Sequence, residues 1–262
     1  MADAERMKRN DLRELLMTTG MALLSSEGVR CGFEGLTFAR VFERIEDQTG
    51  RRVTAASVYD RIWDSQEDFQ WSVLARLIDE SSTIDGRTRR RVKRILNDAD
   101  VTTPEGRWEG LHRLCLFAVE QHVVEASRRQ SYRILVAAAG AIASTPADDE
   151  LAPGAASVRA ALQSCLERET DLYVDLYGTI GAQLGFRLRE PLVLRQFVLA
   201  IGALGDGMAL RLTFFPEYGA KIQRPSEQPG GPPSLSSLAS LGVEAIATQM
   251  LELDPDWTAL PR

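Results

Sequence analysis

The chain has 262 residues, of which 44% are hydrophobic and 26% charged, and its formal net charge is −6. This length suffices for one large or two modest domains, and the composition is that of an ordinary globular protein. The negative charge argues against a protein that coats nucleic acid regardless of sequence. It does not argue against a site-specific binder, because phosphate contacts act over about one Debye length.

Nothing in the sequence indicates secretion, a membrane span or a resident metal. The first nine residues carry no apolar run, and the most apolar stretch, residues 134–143, is shorter than the roughly 20 residues that cross a bilayer. The longer segment 192–215 carries charges and is interpreted as a buried or interface helix. The cysteines are Cys31, Cys115 and Cys165. They form neither a disulfide framework nor a metal pair, so we expect a cytoplasmic protein without a cofactor.

The first elements in chain order are two helices. Apolar residues at helical spacing predict a helix over residues 10–26, which Gly28 ends. Thr37 is placed to cap a second helix, and Gly50 is placed to stop it.

A third, short helix is predicted over Thr54–Trp63, with Thr54 as its cap. Asp64 and Glu67 are placed to cap the helix that follows, which runs to about Ser82. The N-terminal region is therefore predicted to be a three-helix head with a compact turn before its third helix.

Helical periodicity also dominates the remainder, so the fold class is predicted to be all-α. Predicted helices cover residues 102–125, 127–143, 155–177, 191–214 and 235–253, and predicted loops cover residues 146–154 and 224–234. A basic run, Arg87–Arg94, follows Gly86. Such a run is usually a solvated face, and contact with flanking DNA is the alternative.

The head resembles the helix-turn-helix domain of the TetR family of bacterial transcriptional regulators over about residues 10–75. The segments that carry the resemblance are Leu15-Leu16, Ala22-Leu23, Glu27-Gly28, Leu36-Thr37, Val53-Thr54, Ser57-Val58-Tyr59 and Asp64–Phe69. The resemblance implies a DNA-binding domain over residues 1–63. It also implies a helical effector-binding and dimerisation domain over residues 64–262, and repression that a ligand relieves.

The candidate DNA contacts lie at helix starts, in the turn and on the third helix. They are Thr37, Arg51, Arg52, Thr54, Ala55, Ala56, Ser57, Tyr59 and Arg61. Helix starts favour phosphate, arginines add charge, and Ala, Thr and Ser suit base edges in a major groove. Val58, Ile62 and Trp63 are assigned to the core. Tyr59 is left open between a phosphate contact and packing.

In the body, an apolar effector pocket is a hypothesis. Its candidate residues are Trp108, His112, Phe117 and Tyr132, with solid core as the alternative for each. Asp206-Gly207 followed by Arg211 resembles a sequence motif that is common in the family's penultimate helix. A homodimer through residues 191–214 and 235–253 is therefore expected, because two half-sites of an operator need two heads.

An enzyme is the weakest interpretation. Glu109 and His112 form one Glu-x-x-His element, but a di-iron bundle needs two, and His122 lacks the matching acid. A stronger alternative is a ligand-sensing or interaction protein whose head has lost DNA binding. The long segment from Thr37 to Gly50, a missing lysine before the fourth helix and the acidic net charge motivate it.

Overall fold

The computed structural model describes residues 8–27, 35–59, 61–80, 86–118, 123–144, 153–219, 222–224 and 234–258. These residues form ten α-helices and four three-residue strands, which confirms the all-α prediction. The predicted roles of Gly28, Cys31 and His122 lie outside the described residues, as do most of the two predicted loops.

The helices are α1 (Arg9–Glu27), α2 (Phe38–Thr49), α3 (Gln66–Asp79), α4 (Gly86–Asp98), α5 (Pro104–Ala118), α6 (Val124–Arg128), α7 (Gln130–Ala143), α8 (Pro153–Leu184), α9 (Leu194–Phe214) and α10 (Leu238–Met250). The strands are β1 (Phe186–Leu188), β2 (Ile222–Arg224), β3 (Ser234–Ser236) and β4 (Leu251–Leu253). β1 pairs antiparallel with β4, and β2 pairs antiparallel with β3.

The chain forms two compact units, which do not follow the predicted boundary at residue 63. The first unit contains residues 1–82 and 130–166, and the second contains residues 83–129 and 167–262. The first unit extends past the predicted head because α3, α7 and the start of α8 share one hydrophobic core with α1 and α2. The predicted division into DNA-binding and effector domains is functional and stays a prediction.

An aromatic cluster fills the core of the first unit. Phe69 of α3 is completely buried, and its ring stacks on Phe38 at 4.8 Å and meets Trp63 edge-on at 4.9 Å. Trp63 Nε1 donates to Ser72 Oγ at 3.0 Å, which satisfies the polar end of the indole. The cluster therefore ties the segment before α3 to both α2 and α3.

The predicted ends of α2 are confirmed. Thr37 is the N-cap, and its hydroxyl accepts from the amide of Arg40 at 3.3 Å. Gly50 is the C-cap with φ of 67°, a left-handed conformation that favours glycine. Phe38, Val41 and Ile45 are buried, and Phe42 is half-buried.

The predicted α-helix over Thr54–Trp63 is wrong. Only a 3₁₀ turn, Ala55–Ser57, forms, and irregular turns follow it. The side chain of Thr54 makes no capping hydrogen bond. A helix of one or two turns is costly to nucleate, and the irregular backbone that forms instead buries Val58 and Trp63.

The capping residue of α3 is also corrected. Ser65, not Asp64, is the N-cap, and its hydroxyl accepts from the amide of Asp68 at 3.0 Å. The helix ends at Asp79 rather than at about Ser82, and Glu80 is its C-cap.

In the second unit, two helix predictions change. The predicted end of α8 at residue 177 is wrong, because the helix continues to Leu184 and Gly185 follows with φ of 69°. The predicted final helix is shorter, since its last residues form β4 and pair with β1, a partner far along the chain.

The remaining boundaries shift less. α9 begins at Leu194 rather than at Pro191. The break between α6 and α7 lies at Arg129, whose backbone is extended. Among the described helices, α9 alone is long and apolar enough to cross a membrane; this is weak support for a span, because a helix of a soluble core passes the same test.

Candidate nucleic-acid interface

The exposed turn between α2 and the buried Val58 holds most of the predicted DNA contacts. Arg51, Arg52, Thr54, Ala55 and Ala56 are all exposed. The 3₁₀ turn therefore leaves two cations and three small residues uncovered on one short segment.

The turn is fixed at both ends. The Gly50 cap redirects the chain, and the amide of Arg51 donates to Thr49 Oγ1 at 3.2 Å. At the other end Val58 is completely buried and Trp63 is 3% exposed. The assignment of these two side chains to the core is confirmed, and Ile62 is half-buried against the same core.

Ser57 and Tyr59 are less available than the residues before them. The Ser57 hydroxyl donates to the carbonyl of Thr54 at 2.5 Å, and the residue is half-buried. The Tyr59 ring meets Phe38 edge-on at 5.1 Å, and 38% of the residue is exposed. The ring of Tyr59 thus packs against the core while part of the residue stays exposed. This geometry is compatible both with packing and with a phosphate contact.

The start of α2 is already occupied by the chain itself. Thr37 accepts from Arg40, and Gln66 Oε1 accepts from the amide of Phe38 at 3.2 Å. Gln70 donates to the carbonyl of Leu36 at 2.8 Å. Two amides that were candidates for phosphate therefore have internal partners. Gln66 acts as a cap for α2, and either Gln66 or Ser65 stands where the family resemblance had suggested a lysine. Arg61, which follows the 3₁₀ turn in the sequence, is exposed.

The four predicted effector residues do not form one cluster within either unit. Trp108 packs edge-on against Phe186 at 4.6 Å. His112 Nδ1 lies 3.2 Å from Glu244 Oε1. Phe117 is half-buried on the same helix, α5, whereas Tyr132 belongs to α7 of the first unit.

The second unit contains a group of titratable residues that sequence reasoning missed. Tyr173 and Tyr177 of α8 have ring centroids 5.5 Å apart, and Tyr177 meets Phe197 of α9 at 5.7 Å. Burial, followed by the charge of Asp206, raises the pKa of Glu169. We call Glu169, Tyr173, Tyr177 and Asp206 the acid–tyrosine cluster.

Burial dominates the electrostatics of this cluster. It raises the pKa of Tyr173 and Tyr177, and it also raises the pKa of Asp206. Asp206 nevertheless belongs to the exposed residues. This carboxylate therefore lies at the edge of the cluster, where solvent screens its charge. The spacing of residues 169, 173 and 177 is the helical i, i+4, i+8 pattern, which is the signal that would have found the cluster.

The thiol of Cys115 is buried in the second unit. Burial, followed by the charge of Glu244, raises the pKa of Cys115 to about 12, so this thiol stays protonated at neutral pH. Within the described parts of the chain, His, Cys, Asp and Glu side chains form no group of three that could hold a metal ion.

Comparison of the chain with protein-family models, with curated proteins and with solved structures finds no significant match.

Proposed function

We propose that the protein is a sequence-specific DNA-binding transcriptional regulator that responds to a small effector. The observation that carries the proposal is the exposed turn Arg51–Ala56, with its two arginines and three small side chains held over a buried aromatic core. Cations attract the phosphate backbone, and small side chains admit the turn to base edges. The resemblance of the head to the TetR family implies that the protein represses transcription and that the effector relieves this repression.

The proposed working form is a homodimer through α9 and α10. Four apolar residues of these helices are strongly exposed: Leu199 at 53%, Leu210 at 38%, Phe214 at 68% and Leu238 at 57%. Exposed apolar surface of this kind favours association, and a second copy supplies the second head. The two Arg51–Ala56 turns of the dimer should then reach successive major grooves, about 34–36 Å apart.

The proposed effector site is in the second unit, where the acid–tyrosine cluster adjoins α9. Aromatic rings offer stacking surface, and a few convergent polar groups orient a small ligand. An effector that changes the dimer's geometry would change the spacing of the heads, and so the affinity for DNA.

A salt series of DNA binding tests the proposal. The probes are duplexes from the region upstream of the protein's own gene and random-sequence duplexes of the same length. We expect preferential binding to one upstream sequence and a steep loss of affinity as salt rises. Equal affinity for both kinds of duplex at every salt concentration contradicts the proposal.

Two single substitutions sharpen this test. Arg52→Ala should weaken binding to every sequence and lower the salt slope by about 1, because it removes a phosphate contact. Thr54→Ala should instead alter the preference at one base pair. Arg128→Ala, at an exposed arginine in α6, is the control and should leave binding unchanged.

The second candidate function is a ligand-sensing or interaction protein whose head does not bind DNA. The absence of an α-helix among the described residues between Thr54 and Trp63 favours it, as does the net charge of −6. Under this alternative the protein binds a small molecule, and no duplex is preferred in the salt series.

A further inference from the structure

Helix α4 carries the densest positive charge in the chain. Its sequence contains six cations between residues 87 and 94 and one acid, Asp98, at its C-terminal end. Val92, Ile95, Leu96 and Ala99 are buried on one side. The exposed side carries Arg89, Arg90, Arg91, Lys93 and Arg94, and we call these five residues the basic face of α4.

The basic face has no partner within the part of the chain that the structure describes. None of the five cations forms an ion pair or a side-chain hydrogen bond with a described residue. Asp98, the one acid on the helix, lies 4.0 Å from Arg113 of α5. No described residue of the chain therefore neutralises these charges.

The charge pattern is locally unfavourable to the helix itself. Arg89 and Lys93, and likewise Arg90 and Arg94, are like charges four residues apart, which destabilises a helix. The run also begins in the first turn, where the helix dipole favours anions rather than cations. A purely structural role for the basic face would be better filled by mixed charges.

The partner that fits is a polyanion rather than an apolar surface. A helix that lies in a membrane interface buries an apolar face in lipid, but the apolar face of α4 is already packed inside the second unit. What remains is an arc of flexible, fully charged side chains. Such an arc matches a phosphodiester backbone, whose charge is closely and regularly spaced.

We propose that the basic face of α4 is a second, sequence-independent contact with the phosphate backbone of duplex DNA. The proposal rests on the proposed function, since it gives the regulator an additional hold on the duplex that the head reads. It also resolves how a protein with a net charge of −6 binds a polyanion: the cations are concentrated on one short helix.

The test compares two arginine pairs of equal charge. Arg90→Gln with Arg94→Gln removes two cations from the basic face, and Arg128→Gln with Arg133→Gln removes two exposed cations from α6 and α7. Each pair takes the net charge from −6 to −8 (−6 minus 2). Glutamine keeps the helix propensity of arginine, and circular dichroism verifies that both variants fold.

Affinity is measured for the full-length protein on an upstream duplex and on a random duplex over a range of salt concentrations. For the α4 pair we expect the salt slope to fall by about 2 per bound protomer, with a similar loss of affinity on both duplexes. The control pair should keep the slope and the affinity of the wild type. Charge reversal, Arg90→Glu with Arg94→Glu, should weaken binding further.

An unchanged slope in the α4 pair overturns the inference, as does an equal change in the control pair. A wild-type protein that binds no duplex overturns the proposed function itself, which is a different result. Vesicles of anionic phosphatidylserine provide the other arm: loss of vesicle binding by the α4 pair, with DNA binding intact, assigns the basic face to a membrane surface and overturns the DNA assignment.

Discussion

The interiors of the two compact units are built from different chemistry. In the first, apolar and aromatic side chains close around Phe69, and Thr19 is the only polar residue among the buried ones described there. In the second, Ser127, Ser236 and Ser240 are buried. Burial also raises the pKa values of the Cys115 thiol, of two half-buried tyrosines and of the half-buried Glu169. The first interior is almost wholly apolar, whereas the second contains polar and titratable groups whose burial costs free energy.

The largest effect should come from opening the first interior. Phe69→Ala removes a completely buried ring and should lower the free energy of unfolding by about 3–5 kcal/mol. Phe197→Ala, at a 7% exposed ring of the second unit that borders Tyr177, should cost less. Urea unfolding gives both values, and hydrogen exchange locates the loss. A larger loss of unfolding free energy for Phe197→Ala than for Phe69→Ala would contradict this contrast between the two interiors.

A smaller effect should come from overfilling the same interior. A Cβ at Gly20 would lie 2.9 Å from Val73 Cγ2 and 3.0 Å from Phe69 Cζ. Gly20→Ala should therefore cost about 1–3 kcal/mol of packing strain, reduced by the roughly 1 kcal/mol that alanine gains in a helix. Gly140→Ala, at an exposed position of α7 with nothing within 4 Å, is the matched control and should raise the melting temperature. If both substitutions stabilise, the first interior is looser than its contacts indicate.

The next effect is local and tests a corrected cap. Ser65→Ala removes the hydroxyl that accepts from Asp68 and should cost about 1 kcal/mol, the usual loss for an N-cap. Asp64→Ala, one residue earlier and exposed, should change stability by less than about 0.5 kcal/mol. Urea midpoints distinguish the two. A larger loss of stability for Asp64→Ala than for Ser65→Ala would instead support Asp64 as the N-cap, as the sequence predicted.

Local signals explain what the sequence could predict. Thr37 and Gly50 mark the ends of α2 because a cap hydroxyl and a left-handed glycine act within a few residues. Ser65 and Asp64 are both good caps, so sequence alone could not choose between them. In the structure Ser65 has the extended backbone of an N-cap, and it lies between the buried Trp63 and Phe69.

The errors occurred where distant residues decide the structure. β4 is a strand because residues 186–188 pair with it, and no pattern within residues 235–253 shows this. Gly178 stays helical where Leu194 packs closely, at 3.3 Å from the position of a Cβ. For the candidate sites, exposure of Arg51 and Arg52 followed from the predicted turn, whereas Thr54, Ala55 and Ala56 were assigned to an α-helix and lie in a 3₁₀ turn instead. The acid–tyrosine cluster was not predicted, since Asp206 joins it only through the packing of the second unit.

The smallest effect should come from the second interior, and it should have the opposite sign. Burial and the charge of Asp206 raise the pKa of Glu169 above its ordinary value of 4.5 in the folded state. The folded protein then holds this proton more tightly than the unfolded chain, so stability falls as pH rises from about 4.5 and levels off above the folded pKa. Glutamine does not ionise, so Glu169→Gln should remove this pH-dependent loss of stability.

Glu169→Gln should therefore be more stable than the wild type at pH 7, and the two should converge below pH 4.5, where the carboxyl group is protonated in both states. The neighbouring charges that the folded chain supplies, Asp206 and Arg129 beside Tyr173, remain in the variant. Glu167→Gln, at an exposed residue two positions earlier on α8, is the control and should follow the wild type. Urea midpoints across this pH range give the comparison. A destabilised Glu169→Gln at neutral pH would mean that the carboxylate has a favourable role in the fold, and the contrast between the two interiors would then fail.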